Sequence, residues 1–419
     1  MNYNCLNQIE ENIESIKKNE IEEIFPLIQL EKVSEAIEKF KQILEISNQE
    51  VIYNYLKGII ERQKFCDKIF EFYDCAIQKY PSQYQFLQLK ALAISKFKNV
   101  NDSLDFCDDI ISMYPQQIDT YIIKSNALKK LGRLQENIEM WNQFTSSYPE
   151  FVEGYNQLTQ ALEADYNYEQ LIQVCDKAIK HFPELLVFQQ KKAQYLIQTK
   201  SFLSAIQILD ELIQKNKKEA KYYKLKIKAM TKYKQNLLKQ YDESNQESKF
   251  KILYDQTNEQ IRQCYNEGIL ETDEETLQRF RIDFLLEINE KQEAIYFTDK
   301  YIEKYPKNVE GYQYKANILF EEKKFEQIIE LYDQAIFHSP TNFQLQYEKA
   351  LYLEKQERWV DALKCINLAL KISPQSLHLY LQKFQSLAQL NHFKKARQCC
   401  RMIPNLYYDT DQEMAQCDF

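Results

Sequence analysis

Apolar residues recur along most of the chain at spacings of three and four positions, which is the pattern of an amphipathic α-helix. The whole pattern itself recurs with one constant period. In many of the repeats one position holds a small residue, the position three residues later holds leucine, and a later position holds alanine. These positions are occupied by Ala91, Ala193, Ala316 and Ala350, by Leu128, Leu162, Leu196, Leu319 and Leu353, and by Ala76, Ala178, Ala335 and Ala369. Each repeat is predicted to form two helices that approach closely at the small residues.

Proline marks the end of most repeats. Pro81, Pro115, Pro149 and Pro183 are evenly spaced, and Pro306, Pro340 and Pro374 repeat the same step. Proline cannot continue a helix, and it disfavours the helical conformation of the residue before it. The prolines are therefore expected to end the second helix of each repeat. A fixed period of about 34 residues is typical of stacked repeat arrays.

The period is interrupted once, between Pro183 and Pro306, whose separation exceeds three periods but falls short of four. Counting one period inward from each side assigns the additional residues to 218–272. The helical pattern there runs from Ala220 to about Tyr241 and resumes from about Lys249 to Leu270, with the polar sequence DESNQES between them. We predict a hairpin with both helices lengthened by about ten residues, projecting roughly 15 Å beyond its neighbours. The alternative is a disordered loop, which the apolar content of the segment disfavours.

Composition excludes several classes of protein. The net charge is −8, the ten cysteines contain no C-x-x-C pair, and the four histidines share no metal-ligand spacing. We read the cysteines at one register position (Cys107, Cys175, Cys264 and Cys400) as buried free thiols. The chain has no membrane-length apolar run, no secretory signal and no nucleotide-binding or hydrolase motif. We therefore expect a cytoplasmic protein that is not an enzyme, with no cofactor, no metal, no small-molecule substrate and no membrane association.

The repeat pattern resembles the tetratricopeptide repeat family, most clearly from Tyr312 to Pro340 and in the repeat that ends at Pro374. The resemblance covers about residues 17–408 and implies an all-α fold, a right-handed α-solenoid of about eleven helix-turn-helix repeats. It divides the chain into an N-terminal acidic helix or cap (1–16), about six repeats (17–217), the extended repeat (218–272), about four repeats (273–408) and an acidic tail (409–419). The related pentatricopeptide fold, which would suggest RNA, has a longer period and lacks the terminal proline.

One feature departs from the family pattern. Lysine recurs just before the small residue, at Lys90, Lys124, Lys192, Lys226, Lys315, Lys349 and Lys383. We expect the stems of these lysines to pack against apolar surface while their ammonium groups stay in water.

In this family the first helices line the concave surface, at the second, fifth and ninth sites of each repeat. Carried over, those sites include Lys221, Lys224, Lys228 and Arg279, a row of cations suited to an acidic peptide or tail. Other such sites carry amides that could hold an extended peptide backbone, namely Asn126, Gln160, Gln190, Gln194 and Asn317. For both sets the alternative is an ordinary solvated helix face. A nucleic-acid partner is disfavoured because the rest of the chain is acidic.

Three functional classes follow from the resemblance. A co-chaperone would need a complete two-carboxylate clamp, but beside Asn126 the expected lysine is replaced by Ile122, so we expect no strong binding of chaperone tails. An enzyme lacks support from any motif. We therefore predict a non-catalytic scaffold or adaptor subunit that binds partner proteins in its concave groove. The acidic tails of tubulin make a ciliary or cytoskeletal assembly attractive. The alternatives are a co-chaperone or an auxiliary subunit of a ubiquitin ligase or an acetyltransferase.

Overall fold

The computed structural model describes residues 24, 27, 33–62, 69–242 and 247–402, and these residues form helices and turns with no strand. The all-α prediction is confirmed for this part of the chain. The predicted cap at 1–16 and tail at 409–419 lie outside the described residues. The helices are α1 (Val33–Ile46), α2 (Gln49–Arg62), α3 (Phe70–Lys79), α4 (Tyr84–Phe97), α5 (Val100–Met113), α6 (Ile118–Lys130), α7 (Leu134–Ser147), α8 (Val152–Ala164), α9 (Tyr168–His181), α10 (Leu186–Gln198), α11 (Phe202–Lys215), α12 (Ala220–Asp242), α13 (Glu247–Thr272), α14 (Glu275–Glu287), α15 (Lys291–Lys304), α16 (Val309–Glu321), α17 (Phe325–His338), α18 (Phe343–Lys355), α19 (Trp359–Ile372), α20 (Leu377–Gln389) and α21 (Phe393–Met402).

The chain divides into two compact units, Met1–Ile208 and Leu209–Phe419, and the division falls within α11. Each unit is a stack of helix-turn-helix repeats in which helices pack against their neighbours in sequence. The repeat positions identified from the sequence form the interior. All eight alanines at the two alanine-bearing positions are fully buried, and the five leucines are at most 9% exposed. Close helix approach at small residues and packing through leucine are therefore confirmed.

The second helix of a repeat ends two residues before each of the seven periodic prolines, as α17 does at His338 before Pro340. The residue next to the proline has left the helical conformation. Tyr305 before Pro306 has φ −123° and ψ 62°, and Ser339 has φ −140°. The prolines thus end the second helices, as the sequence predicts.

The turn from the first helix to the second uses a residue in the left-handed conformation. Its φ lies between 55° and 69° at Gly132, Tyr166, Lys200, Asn289, Lys323, Glu357 and Asn391, which share one register position. The amide of the following residue reaches back to the buried leucine of the repeat: Lys324 N donates to Leu319 O at 2.8 Å, and Arg358 N donates to Leu353 O at 2.9 Å. This is the Schellman arrangement, in which glycine is the usual left-handed residue. Only one of the seven residues here is glycine.

The recurring lysines differ in part from their predicted setting. Their stems are packed, but six of the seven ammonium groups form ion pairs. Each of the six pairs with an aspartate at one fixed position of the preceding second helix. The pairs are Lys90–Asp74, Lys124–Asp108, Lys192–Asp176, Lys226–Asp210, Lys315–Asp299 and Lys349–Asp333. The seventh lysine, Lys383, has Asn367 at that position and cannot make the pair. The lysines therefore link successive repeats instead of standing free in water.

The segment 218–272 contains two long helices. α12 has 23 residues and α13 has 26, against 13 and 14 for α14 and α15, and residues 243–246 between them lie outside the described part. The additional residues extend the hairpin by about 15 Å, at 1.5 Å per residue. Lys234 of α12 is 1% exposed, and its Nζ lies 5.5 Å from the Tyr254 ring and 5.2 Å from the Phe284 ring. The Glu287 carboxylate completes this site at 2.8 Å from Nζ.

The cysteines match their predicted role where the structure describes them. Cys107, Cys175 and Cys264 are buried free thiols, and burial raises the pKa of each to about 12. The side chain of Cys400 lies outside the described residues. Within the described ranges, no three His, Cys, Asp or Glu side chains come together in a way that could hold a metal ion. The helices that the structure describes are all too short or too polar to cross a membrane.

Candidate protein-binding surface on the first helices

The four cations singled out in the sequence lie on two first helices of the second compact unit. Lys221, Lys224 and Lys228 are on α12, and Arg279 is on α14. Spacings of three and four residues place the lysines on one side of α12. Lys221 and Lys228 are exposed, whereas about a third of the Lys224 side chain and a quarter of the Arg279 side chain are exposed. We call these four residues the cation row.

Three members of the cation row are paired with carboxylates of the chain itself. The Lys221 ammonium lies 3.2 Å from Glu219. Lys224 donates a hydrogen bond to Glu274, and Arg279 donates one to Glu310. Lys228 is exposed and has no carboxylate partner within the described ranges. The row is therefore less positive than a count of its lysines suggests, and Lys228 is its most available cation.

Hydrogen bonding also sets the charge state of the carboxylate between α13 and α14. Hydrogen bonds from Lys224 and from the Thr276 hydroxyl hold the pKa of Glu274 below its usual range. The Arg279 pKa is raised, chiefly by its hydrogen bond to Glu310. Glu274 is thus ionised at neutral pH and neutralises Lys224. Any acidic ligand at Lys224 has to compete with it.

An apolar hollow lies beside Lys224 and Lys228, where α12, α13 and α14 meet. Its volume is about 300 Å³, and it is lined by Lys224, Leu225, Ile227, Lys228, Tyr265, Leu277 and Phe280. Leu277 is fully buried, whereas Phe280 is 46% exposed. The two lysines are the charged members of this lining. The sequence reasoning missed the hollow because its walls come from three helices, although the apolar Leu225 and Phe280 within polar first-helix faces were a signal of it.

The amides selected from the sequence are divided between the two compact units. Asn126 on α6, Gln160 on α8, and Gln190 and Gln194 on α10 belong to the first unit, whereas Asn317 on α16 belongs to the second. Asn126, Gln160 and Asn317 are exposed, and the two glutamines on α10 are half-buried. Asn317 Oδ1 accepts a hydrogen bond from the Tyr352 hydroxyl at 2.7 Å. The exposed amides are placed where a ligand could reach them, and the site stays a prediction.

Comparisons with known proteins give structural likenesses only. No family model matches the chain, and no curated protein matches it. Among solved structures, Naa15/Naa10 bound to HypK-THB is 15% identical, with 98% of this chain and 67% of that chain covered and a TM-score of 0.36. The hetero-tetramer Cut9–Hcn1 of APC/C is 10% identical, with 94% and 74% covered and a TM-score of 0.31. MamA of Desulfovibrio magneticus RS-1 is 13% identical, with 44% and 97% covered and a TM-score of 0.30. These values are too low to indicate a shared family or function.

Proposed function

We propose that this chain is a non-catalytic tetratricopeptide-repeat scaffold or adaptor whose first helices bind an acidic segment of a partner protein. The assignment to this family rests on the constant repeat period, on the fully buried small residues at fixed positions and on the second helices that end before each periodic proline. Stacked repeats of this kind offer extended surfaces that suit the binding of other proteins.

The observation that carries the proposal is the position of Lys228. This exposed lysine has no carboxylate partner within the described ranges, and it lies on the same side of α12 as Lys221 and Lys224. An incoming carboxylate can bind Lys228 directly. It can also replace Glu219 at Lys221, because a solvent-exposed ion pair contributes only about 0–1 kcal/mol. Binding to Lys224 additionally requires that the ligand displace the hydrogen-bonded Glu274. The cation row can thus accept an acidic segment without unfolding any element.

The cellular setting of this function is a separate part of the proposal. Acidic tubulin tails would suit the cation row, which favours a ciliary or cytoskeletal assembly. A co-chaperone, or an auxiliary subunit of a ubiquitin ligase or acetyltransferase, is the alternative. Binding of a peptide that ends in EEVD, lost on changing Asn126, would favour the co-chaperone.

A fluorescein-labelled decaglutamate peptide tests the proposed site by fluorescence anisotropy. We expect Lys228→Glu to weaken binding by about tenfold, since it removes one attraction and adds one repulsion. Glu274→Gln should act in the opposite direction and tighten binding about threefold, because it removes the negative charge that neutralises Lys224. Binding to the unmodified protein should weaken with added salt.

The matched control is Lys371→Glu, which makes the same charge change at an exposed lysine of the second helix α19. We expect it to leave peptide binding nearly unchanged. Equal losses for Lys228→Glu and Lys371→Glu would show that net charge alone governs binding, and the proposal would then be wrong. Helical circular dichroism of each variant confirms that the fold is retained.

A further inference from the structure

The hollow between α12 and α14 has a buried floor and an exposed apolar rim. Leu277 is fully buried, and Ile227 and Tyr265 are buried beside it. The Phe280 ring at the edge is 46% exposed, and Leu225 is half-buried. Exposed apolar surface that is bordered by polar residues is typical of interaction sites.

The size of the hollow limits what it can receive. Its volume of about 300 Å³ is at the lower end for ligand pockets, which suits one large side chain better than a cofactor. The charged residues beside the hollow favour particular residues next to that side chain in the partner segment. Lys228 lines the hollow with no carboxylate partner within the described ranges, so carboxylates next to the apolar residue are favoured there. Lys224 adds to this attraction only where the ligand displaces Glu274.

We propose that the hollow is a specificity pocket for one bulky apolar side chain, aromatic or branched aliphatic, flanked by acidic residues in a partner segment. This inference rests on the proposed binding of acidic segments, and it names what distinguishes the partner from other acidic chains. The carboxylates are attracted to Lys228 and, where they displace Glu274, to Lys224. The apolar side chain covers Leu225 and Phe280 and removes them from water. Electrostatic attraction alone would accept any acidic sequence, so the pocket provides the discrimination.

Two decapeptides test this inference, each composed of glutamate except for one central residue, which is phenylalanine in one and alanine in the other. We expect the phenylalanine peptide to bind about tenfold more tightly, because its ring is buried away from water when it enters the hollow. Phe280→Gln removes an exposed apolar wall and should abolish most of this preference while leaving binding of the alanine peptide unchanged. Phe337→Gln is the matched control, because Phe337 is an exposed phenylalanine on the second helix α17.

The outcomes separate the pocket from the underlying function. If both peptides bind with equal affinity, the pocket is wrong and the acidic-segment function stands. If neither peptide binds, both proposals fail together. If the preference for phenylalanine persists in Phe280→Gln, or is lost equally in Phe337→Gln, the ring binds elsewhere and the pocket is overturned.

Discussion

The extended repeat, α12–α13, and the regular repeat, α16–α17, solve the same packing problem with different residues. In the regular repeat, Ala316 of the first helix provides the fully buried small residue. The extended repeat has Ile227 at the corresponding position, and its close approach occurs at Gly268 of the second helix. A Cβ atom built at Gly268 would lie only 2.9 Å from Cγ of Tyr223. The extended repeat thus keeps a close helix contact although the small residue at the usual first-helix position is replaced by isoleucine.

The two repeats also differ in where they place a lysine. Lys349, which follows the regular repeat, is 14% exposed and pairs with Asp333, an aspartate more than half exposed. Lys234 of the extended repeat is 1% exposed and lies between two aromatic rings. A buried cation without partners is costly, so the Glu287 carboxylate and the ring faces are needed to stabilise it. The lengthened hairpin is thus joined to α14 by a buried charge in addition to apolar packing, whereas the ion pairs of the regular repeats lie at the edge of their apolar packing.

The largest expected effect comes from reversing the buried charge. Lys234→Glu places a carboxylate against Glu287 and two ring faces, and we expect it to lower the free energy of unfolding by about 3 kcal/mol. Lys234→Met keeps an unbranched side chain in the same space. The Glu287 carboxylate, which loses its partner in this variant, is half exposed and stays hydrated. That variant should lose no more than about 1 kcal/mol.

Urea-induced unfolding followed by circular dichroism measures this series, with Lys349→Glu as the control at a regular repeat. Its exposed partner Asp333 can move away from the new charge, so the loss should stay near about 1 kcal/mol. Equal losses for Lys234→Glu and Lys349→Glu would contradict the contrast between a buried and a peripheral lysine.

A smaller effect of opposite sign is expected at the left-handed turns of the regular repeats. Lys323 has φ 61°, which is unfavourable for a residue with a Cβ atom. Lys323→Gly should raise the free energy of unfolding by about 0.5–1 kcal/mol, since relief of this strain exceeds the entropy that glycine adds to the unfolded chain.

Lys98 provides the control, because it occupies the same register position with φ −121°. Lys98→Gly relieves no left-handed strain and also removes the exposed ion pair with Asp102, so it should destabilise the protein by about 0.5–1 kcal/mol. Thermal unfolding of the two variants checks the signs. A destabilised Lys323→Gly would mean that the turn carries no strain for glycine to relieve.

Helix positions could be predicted from the sequence because each rests on local and repeated signals. Proline blocks helix continuation wherever it occurs, so the end of α17 at His338 follows from Pro340 alone. The left-handed turns could not be predicted, because Lys323 and Glu357 have no preference for that conformation. The close packing of the two helices of a repeat imposes the left-handed conformation on these residues.

The candidate site was predicted only in part, for a related reason. The cation row follows from family register, but Lys224 and its partner Glu274 are far apart in sequence, with a spacing created by the extension itself. The repeat period of the sequence therefore does not predict that pair. The Lys–Asp pairs of the regular repeats can be predicted from the sequence, because both residues recur at fixed positions of successive helices.

The smallest expected effect tests whether those periodic pairs stabilise the repeats. Asn367→Asp supplies the aspartate that Lys383 lacks, and it should raise the free energy of unfolding by about 0.5 kcal/mol. Asp333→Asn removes an existing pair with Lys349 and should lower it by a similar amount. Both substituted positions are exposed, so neither change alters buried volume.

The gain from Asn367→Asp should vanish when it is combined with Lys383→Met, because the aspartate then has no ammonium to bind. If the gain survived in that double variant, it would arise from something other than the ion pair, such as the helix dipole, and the pairs would be consequences of the register without stabilising it.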